Sequence, residues 1–244
     1  MKLGWRGGLG VLVPPGNPTV EQEFHRMCPP GVSLHFARLC APGYTGVPGA
    51  PAGIAERVQG YLDTLDGVVH SLGAVRPAVI VLAHTASSYL VGRDREQALV
   101  DRLAAPGGTV GLTAARAIDA ALRHLKVRRL ALATPYPAAI AEAARVYWQA
   151  AGFEIVNHLR PDVDNIYEQD EERARQIIRQ AFVPDADAVL VSGTGLPTVG
   201  ALDGAEAELG RTVISSNQAS LWNALRIAQM EPVIHGFGRL LREP

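Results

Sequence analysis

Two unbroken apolar runs stand out along the chain. The first is AVIVLA, which continues into the small and hydroxyl residues HTASSYLVG (residues 78–92 together), and the second is AVLV, which continues into SGTGLPTVG (residues 188–200). Each run reads as a buried parallel strand, and each tail as a loop at the strand's carboxyl end, where open α/β sheets bind ligands. The flanking pattern repeats as well. Residues 8–14 read as a strand broken by Pro14, Pro15, Gly16, Asn17 and Pro18; residues 19–27 have helical spacing; residues 32–39 alternate as a strand. A Gly- and Pro-rich loop at 40–51 and an amphipathic helix at 54–75 lead to the first apolar run, followed by a charged helix at 93–103 and a short strand at 109–112. The second half restarts with a helix at 114–125, a strand at 129–134 ending in Pro135-Tyr136-Pro137, a helix at 138–151 and a strand at 153–156. A polar loop with Asp162, Asp164 and Asn165 follows, then a charged helix at 170–182, the second apolar run, a helix near 201–209, a strand at 212–214 and a last helix at 217–228.

Strands alternating with helices predict an α/β fold of parallel βαβ units. Because the order recurs, the pattern predicts two similar lobes, each a parallel sheet flanked by helices, related by a pseudo-twofold with the site in the cleft between them. The first lobe spans 1–112, the second 113–215, and 216–244 form a C-terminal helix and tail whose helix packs back onto the first lobe. Four loops should line the cleft: 14–17, 84–88, 135–136 and 193–198.

Composition narrows the function. With 48% hydrophobic and 19% charged residues in 244, the chain should fold around a sizeable core. A formal charge of −1 offers no basic face for nucleic acid or an anionic membrane surface. No apolar run approaches the ~18 residues of a membrane span, and no signal-peptide core precedes the first strand. Two cysteines, Cys28 and Cys40, fit a cytoplasmic location, and no metal-binding spacing is present. The charged helices are compatible with a homo-oligomer.

The segments VPPGNPTVE (13–21), His84-Thr85, ATPY (133–136), GTGLPT (193–198) and SSNQASLW (215–222) together resemble the maleate cis-trans isomerase and arylmalonate decarboxylase branch of the aspartate/glutamate racemase superfamily. The resemblance covers nearly the whole chain. It implies an enzyme without a cofactor that acts on a small carboxylate or dicarboxylate between the lobes. It also implies that Asn17 and Asn165 hold a substrate carboxylate, that Tyr136 is a shared site tyrosine, and that Thr85 with the backbone at Thr194 and Gly195 forms a pocket for two oxyanions. Pro15 and Cys40 fall on loops that border the cleft. The family places a cysteine after the central strand of each lobe; here those positions are His84 and Gly193, so both thiols are missing. A hydroxyl residue expected after Thr85 is Ala86, for which Ser87 or Ser88 could substitute.

Decarboxylation of a malonate passes through an enediolate, which fixed neutral donors stabilise. It needs no nucleophile. His84, with an ordinary pKa of about 6.5, is the candidate acid that returns a proton. The leading expectation is therefore a carbon–carbon lyase, with Thr85, Tyr136 and His84 catalytic. An isomerase or racemase using His84 in place of a thiol is the second expectation, although Gly193 offers no acid on the opposite face. A non-catalytic carboxylate-binding member, or a variant engineered to lack its cysteines, is the third. Each residue also has an ordinary alternative: Asn17 can cap a helix, Tyr136 can end a strand, Ser215 to Asn217 can cap the last helix, and both cysteines can be small filler.

Overall fold

The computed structural model describes residues 3–41, 53–230 and 233–243. Eight strands form two four-stranded parallel sheets. The first contains β1 (Gly7–Val13), β2 (Val32–Arg38), β3 (Val79–Leu82) and β4 (Val110–Thr113) in the order β2-β1-β3-β4. The second contains β5 (Arg129–Ala133), β6 (Glu154–Leu159), β7 (Ala188–Val191) and β8 (Thr212–Ser215) in the matching order β6-β5-β7-β8. The sheets correspond strand for strand, and the two apolar runs are the central β3 and β7. Every residue of both strands is buried, which is why they lack the alternation of a half-exposed strand.

The helices are α1 (Thr19–Met27), α2 (Ile54–Gly73), α3 (Thr85–Val91), α4 (Glu96–Leu103), α5 (Ala114–His124), α6 (Ala138–Ala150), α7 (Glu171–Ala181), α8 (Leu202–Leu209), α9 (Ser216–Ile227) and α10 (Arg239–Arg242). The tail after β3, expected as a loop, is helix α3. Its Thr85, Ser87 and Ser88 are weak helix formers, but they are buried and the helix packs against α2, α5 and α6; packing overrides propensity. The tail after β7 stays irregular up to α8. The Gly- and Pro-rich loop lies mostly outside the described residues. Among the described residues no helix is long and apolar enough to cross a membrane, and no group of three or more His, Cys, Asp or Glu could hold a metal ion.

One apolar core runs through both lobes. Helix α9 packs against α1, α5 and strands β3 and β4 of the first sheet, as well as against β8. Its N-terminus is a capping box in which Ser215 and Gln218 satisfy each other's backbone N–H. Buried polar contacts also join the lobes. The Tyr147 hydroxyl on α6 donates to Glu96 on α4 at 2.6 Å, and Tyr89 on α3 meets Ser192 after β7 at 2.5 Å.

Candidate active site

A cavity of about 420 Å3 lies where the carboxyl ends of both sheets face each other. Residues from all four expected loops line it: Pro14, Gly16 and Asn17; His84; Pro135 and Tyr136; Thr194 and Gly195. Two further segments complete the wall. Ile54, Arg57 and Tyr61 come from α2, and residues 160–164, Ile166 and Tyr167 come from the loop after β6.

The turn after β1 is held by side chains. Asn17 Oδ1 accepts from the Thr19 and Val20 N–H groups at 2.9 and 3.2 Å, capping the first turn of α1, into which Pro18 leads. Its Nδ2 donates to Thr194 Oγ1 at 3.2 Å across the cleft. Asn17 is therefore a cap and a wall residue at once. Arg38 grips the same turn from behind, donating to the carbonyls of Pro14, Pro15 and Asn17 at 3.2, 3.3 and 2.8 Å. Pro15 thus has its carbonyl turned to Arg38 and is not among the lining residues.

At the end of β3, His84 has an extended backbone and α3 begins immediately after it. The buried ring lines the cavity, meets Tyr61 edge-on at 5.5 Å between centroids, and has Nδ1 2.9 Å from Ser87 Oγ. Burial, and secondarily the positive charge of Arg57, push its pKa down to about 4. At neutral pH the ring is uncharged, so it is not the ready proton source that an ordinary imidazole would be. Thr85, fully buried beside it, shares a 2.6 Å hydrogen bond with the Tyr136 hydroxyl. Burial raises the Tyr136 pKa, so its proton is retained. Ser87 and Ser88 are fully buried behind the wall; Ser87 touches His84, and among the described residues the Ser88 hydroxyl has no partner.

The end of β7 is built differently. Gly193 has φ +142°, and a Cβ placed there would come 3.3 Å from Pro135 Cγ and 3.7 Å from the Tyr136 hydroxyl. Gly193 itself is not among the lining residues, but Tyr136 joins the two strand ends: it is bonded to Thr85 and faces position 193. Gly195 leaves no room for a side chain, because a Cβ would lie 2.5 Å from the Tyr167 ring. The Gly193 N–H donates to Ser216 Oγ at 3.0 Å, and the Thr194 carbonyl accepts from Asn217 at 3.0 Å. Among the described residues the N–H groups of Thr194 and Gly195 have no hydrogen-bond partner.

The loop is fixed from the other lobe by Glu23 of α1. This carboxylate is 2% exposed and accepts from the Thr198 and Val199 N–H groups, the Thr198 hydroxyl and Asn217 Nδ2. Burial raises its pKa, while the four donors oppose that shift. Every contact donates to Glu23, so the arrangement fits the ionised form. Sequence reasoning missed this latch, Arg38, Arg57 and Tyr61. A signal was available for Glu23, since it shares a helical face with Val20, Phe24 and Met27.

Two expected residues lie elsewhere. Asn165 caps a short 3-10 turn, accepting from the Tyr167 N–H at 3.0 Å and donating to Glu168 at 2.9 Å. It thereby orients Tyr167, which reaches the wall. Cys40 is exposed and is not among the lining residues.

Matched parallel-sheet lobes closing on a cavity lined by hydroxyl side chains and two arginines define a two-lobed α/β enzyme with an interlobe site. A family model described as arylmalonate decarboxylase matches residues 9–241, and the chain belongs to that family. It is 29% identical to the maleate isomerase of Nocardia farcinica, over 96% of this chain and 95% of that one. It is also 29% identical to the arylmalonate decarboxylase of Bordetella bronchiseptica, over 96% of each. A liganded arylmalonate decarboxylase with cysteine and serine substitutions superposes with a TM-score of 0.86 at 25% identity, covering 98% of this chain and all of that one. Its homologues are decarboxylase and isomerase enzymes of one superfamily.

Proposed function

We propose that the chain is a cofactor-free carbon–carbon lyase that decarboxylates α-substituted malonates. The observation that supports this most directly is the set of neutral groups at the cavity: the Tyr136 hydroxyl, backed at 2.6 Å by buried Thr85, and Thr194 and Gly195, whose N–H groups have no partner among the described residues. Such donors suit a charge that develops on two carboxylate oxygens, and removing one typically costs about 2.7–4 kcal/mol of transition-state stabilisation. Arg57 and Arg160 give the dianionic substrate an attractive field. The cavity volume leaves room for a substituent larger than a hydrogen on the α-carbon.

In this reading the bond between the α-carbon and one carboxylate breaks and CO2 leaves. The bonding pair moves onto the α-carbon and into the remaining carboxylate as an enediolate, held by Tyr136 and the loop N–H groups. A water molecule supplies the proton that forms the new C–H bond, and the hydroxide left behind combines with CO2 as bicarbonate. Neutral His84 contributes a fixed dipole at the wall rather than a charge. The test is incubation with phenyl-, alkyl- and unsubstituted malonates in D2O, followed by NMR. Monoacid carrying one α-deuterium is expected, and unchanged malonate across the panel would remove the reading.

The second reading is an isomerase or racemase in which His84 stands in for a thiol. The presence of His84 in the wall favours it. Maleate converted to fumarate, or a chiral α-substituted acid losing its configuration without release of CO2, together with loss of that turnover in His84→Ala, would establish it over the lyase.

A further inference from the structure

The hydrogen bond beneath His84 determines which of its nitrogens carries the proton. Ser87 is fully buried in the first turn of α3, and the partner of its hydroxyl among the described residues is His84 Nδ1, at 2.9 Å. No backbone carbonyl of the preceding turn accepts from it, although Ser220 on α9 makes such a bond to Ser216. A buried O–H without an acceptor is costly. If Nδ1 carried the hydrogen, Ser87 would become the acceptor and its own proton would be stranded. If Ser87 donates, Nδ1 uses its lone pair, the hydroxyl is satisfied, and the neutral ring carries its hydrogen on Nε2. The ring lines the cavity, and among the described residues no partner of Nε2 is present.

We infer that Ser87 is a positioning residue that fixes His84 as the Nε2–H tautomer, so that His84 meets the substrate as a neutral hydrogen-bond donor and not as a base. This goes further than the lyase reading by adding a donor to the hydroxyl and backbone set, aimed at a substrate oxygen. A carboxylate or carbonyl oxygen satisfies it, whereas an ammonium group would meet a donor with a donor. The groups that face the ring from α2, Arg57 and Tyr61, agree with an uncharged imidazole. Arg160, Asp162 and Asp164, from the loop after β6, are the other charged residues of the lining.

The experiment is 15N NMR of the full chain labelled at histidine, with His84 assigned by its loss in His84→Gln. At pH 7 the His84 Nδ1 signal should fall in the unprotonated range and Nε2 in the protonated range. Ser87→Ala should mix the two tautomers and raise the ring's protonation midpoint by about one unit, because the neutral form loses the bond that favours it. Ser87→Thr, which keeps the hydroxyl, should restore the wild-type pattern. A wild-type ring protonated on Nδ1, or on both nitrogens at pH 7, would overturn the inference, as would a Ser87→Ala spectrum identical to wild type. If Ser87→Ala fails to fold, the wild-type spectrum and Ser87→Thr still decide. The readout involves no turnover, so it stands or falls separately from decarboxylation.

Discussion

The ends of β3 and β7 start from the same kind of sequence, an apolar run followed by small residues, yet they serve the cavity in opposite ways. At β3 the chain enters a helix at once and presents side chains: the His84 ring, and the Thr85 hydroxyl through Tyr136. At β7 it stays irregular and presents backbone, held by Ser216, Asn217 and Glu23 from other elements. An isolated irregular loop would lose its geometry to solvent and entropy; here a buried carboxylate from the facing lobe supplies the order that a helix supplies at β3. Two stations related by a pseudo-twofold are therefore chemically complementary rather than equivalent.

Four changes would break or sharpen that contrast. The largest effect is expected at Glu23. Glu23→Gln sets an amide N–H2 against groups that all donate, and should cost about 3 kcal/mol or more by urea unfolding while also suppressing turnover. An unchanged midpoint would mean that the β7 loop keeps its shape without the latch. Next, Tyr136→Phe removes the hydroxyl that links both stations. It should lower kcat on the best malonate by about 100-fold or more and cost about 1–3 kcal/mol of stability, because buried Thr85 loses its partner; steady-state kinetics with a parallel melt separates the two.

The third concerns pH. The folded pKa of His84, about 4, lies below the usual imidazole value of 6.5. Between these values the unfolded chain holds the extra proton, so stability falls as pH drops from about 6.5 to about 4 and levels off below. The shift corresponds to a loss on the order of 3 kcal/mol. His124 and His158 are lowered too and add to the slope. His84→Gln should flatten it, as read from unfolding free energies at pH 7 and pH 4.5; equal slopes would place the buried charge elsewhere. The smallest effect belongs to Gly193→Ala. Its φ of +142° suits glycine, and the new Cβ would press on Pro135, so a loss of about 1–3 kcal/mol is expected by thermal or urea unfolding.

Much of this was legible from residue order. Buried strands announce themselves as continuous aliphatic runs, and the recurrence of strand, Pro-rich turn and helix exposed the two lobes and the four loops of the cavity. What escaped had physical reasons. Helix α3 opens with Thr85, Ser87 and Ser88, which favour caps and turns, and burial against three other helices offsets that preference. The Glu23 latch joins positions 175 residues apart, and no local pattern encodes such a pairing. Asn17 was legible as a helix cap and as a residue of the cleft loop, and in the structure it caps the turn and lines the cavity. The charge state of His84 depends on Arg57 and on depth, neither of which is written in the strand that carries it.

The position of α9 has a consequence for the order in which the chain matures. The helix covers α1, α5 and the β3–β4 half of the first sheet, yet it begins about 90 residues after α5 ends at His124. At ~5–20 residues per second of synthesis, the ribosome needs roughly 5–20 s to supply it. Throughout that interval the first half of a nascent chain carries an uncovered apolar surface, which Leu221, Trp222 and Leu225 later bury. Until the last helix arrives, the newborn first half exposes the kind of apolar surface that makes incomplete chains prone to aggregate.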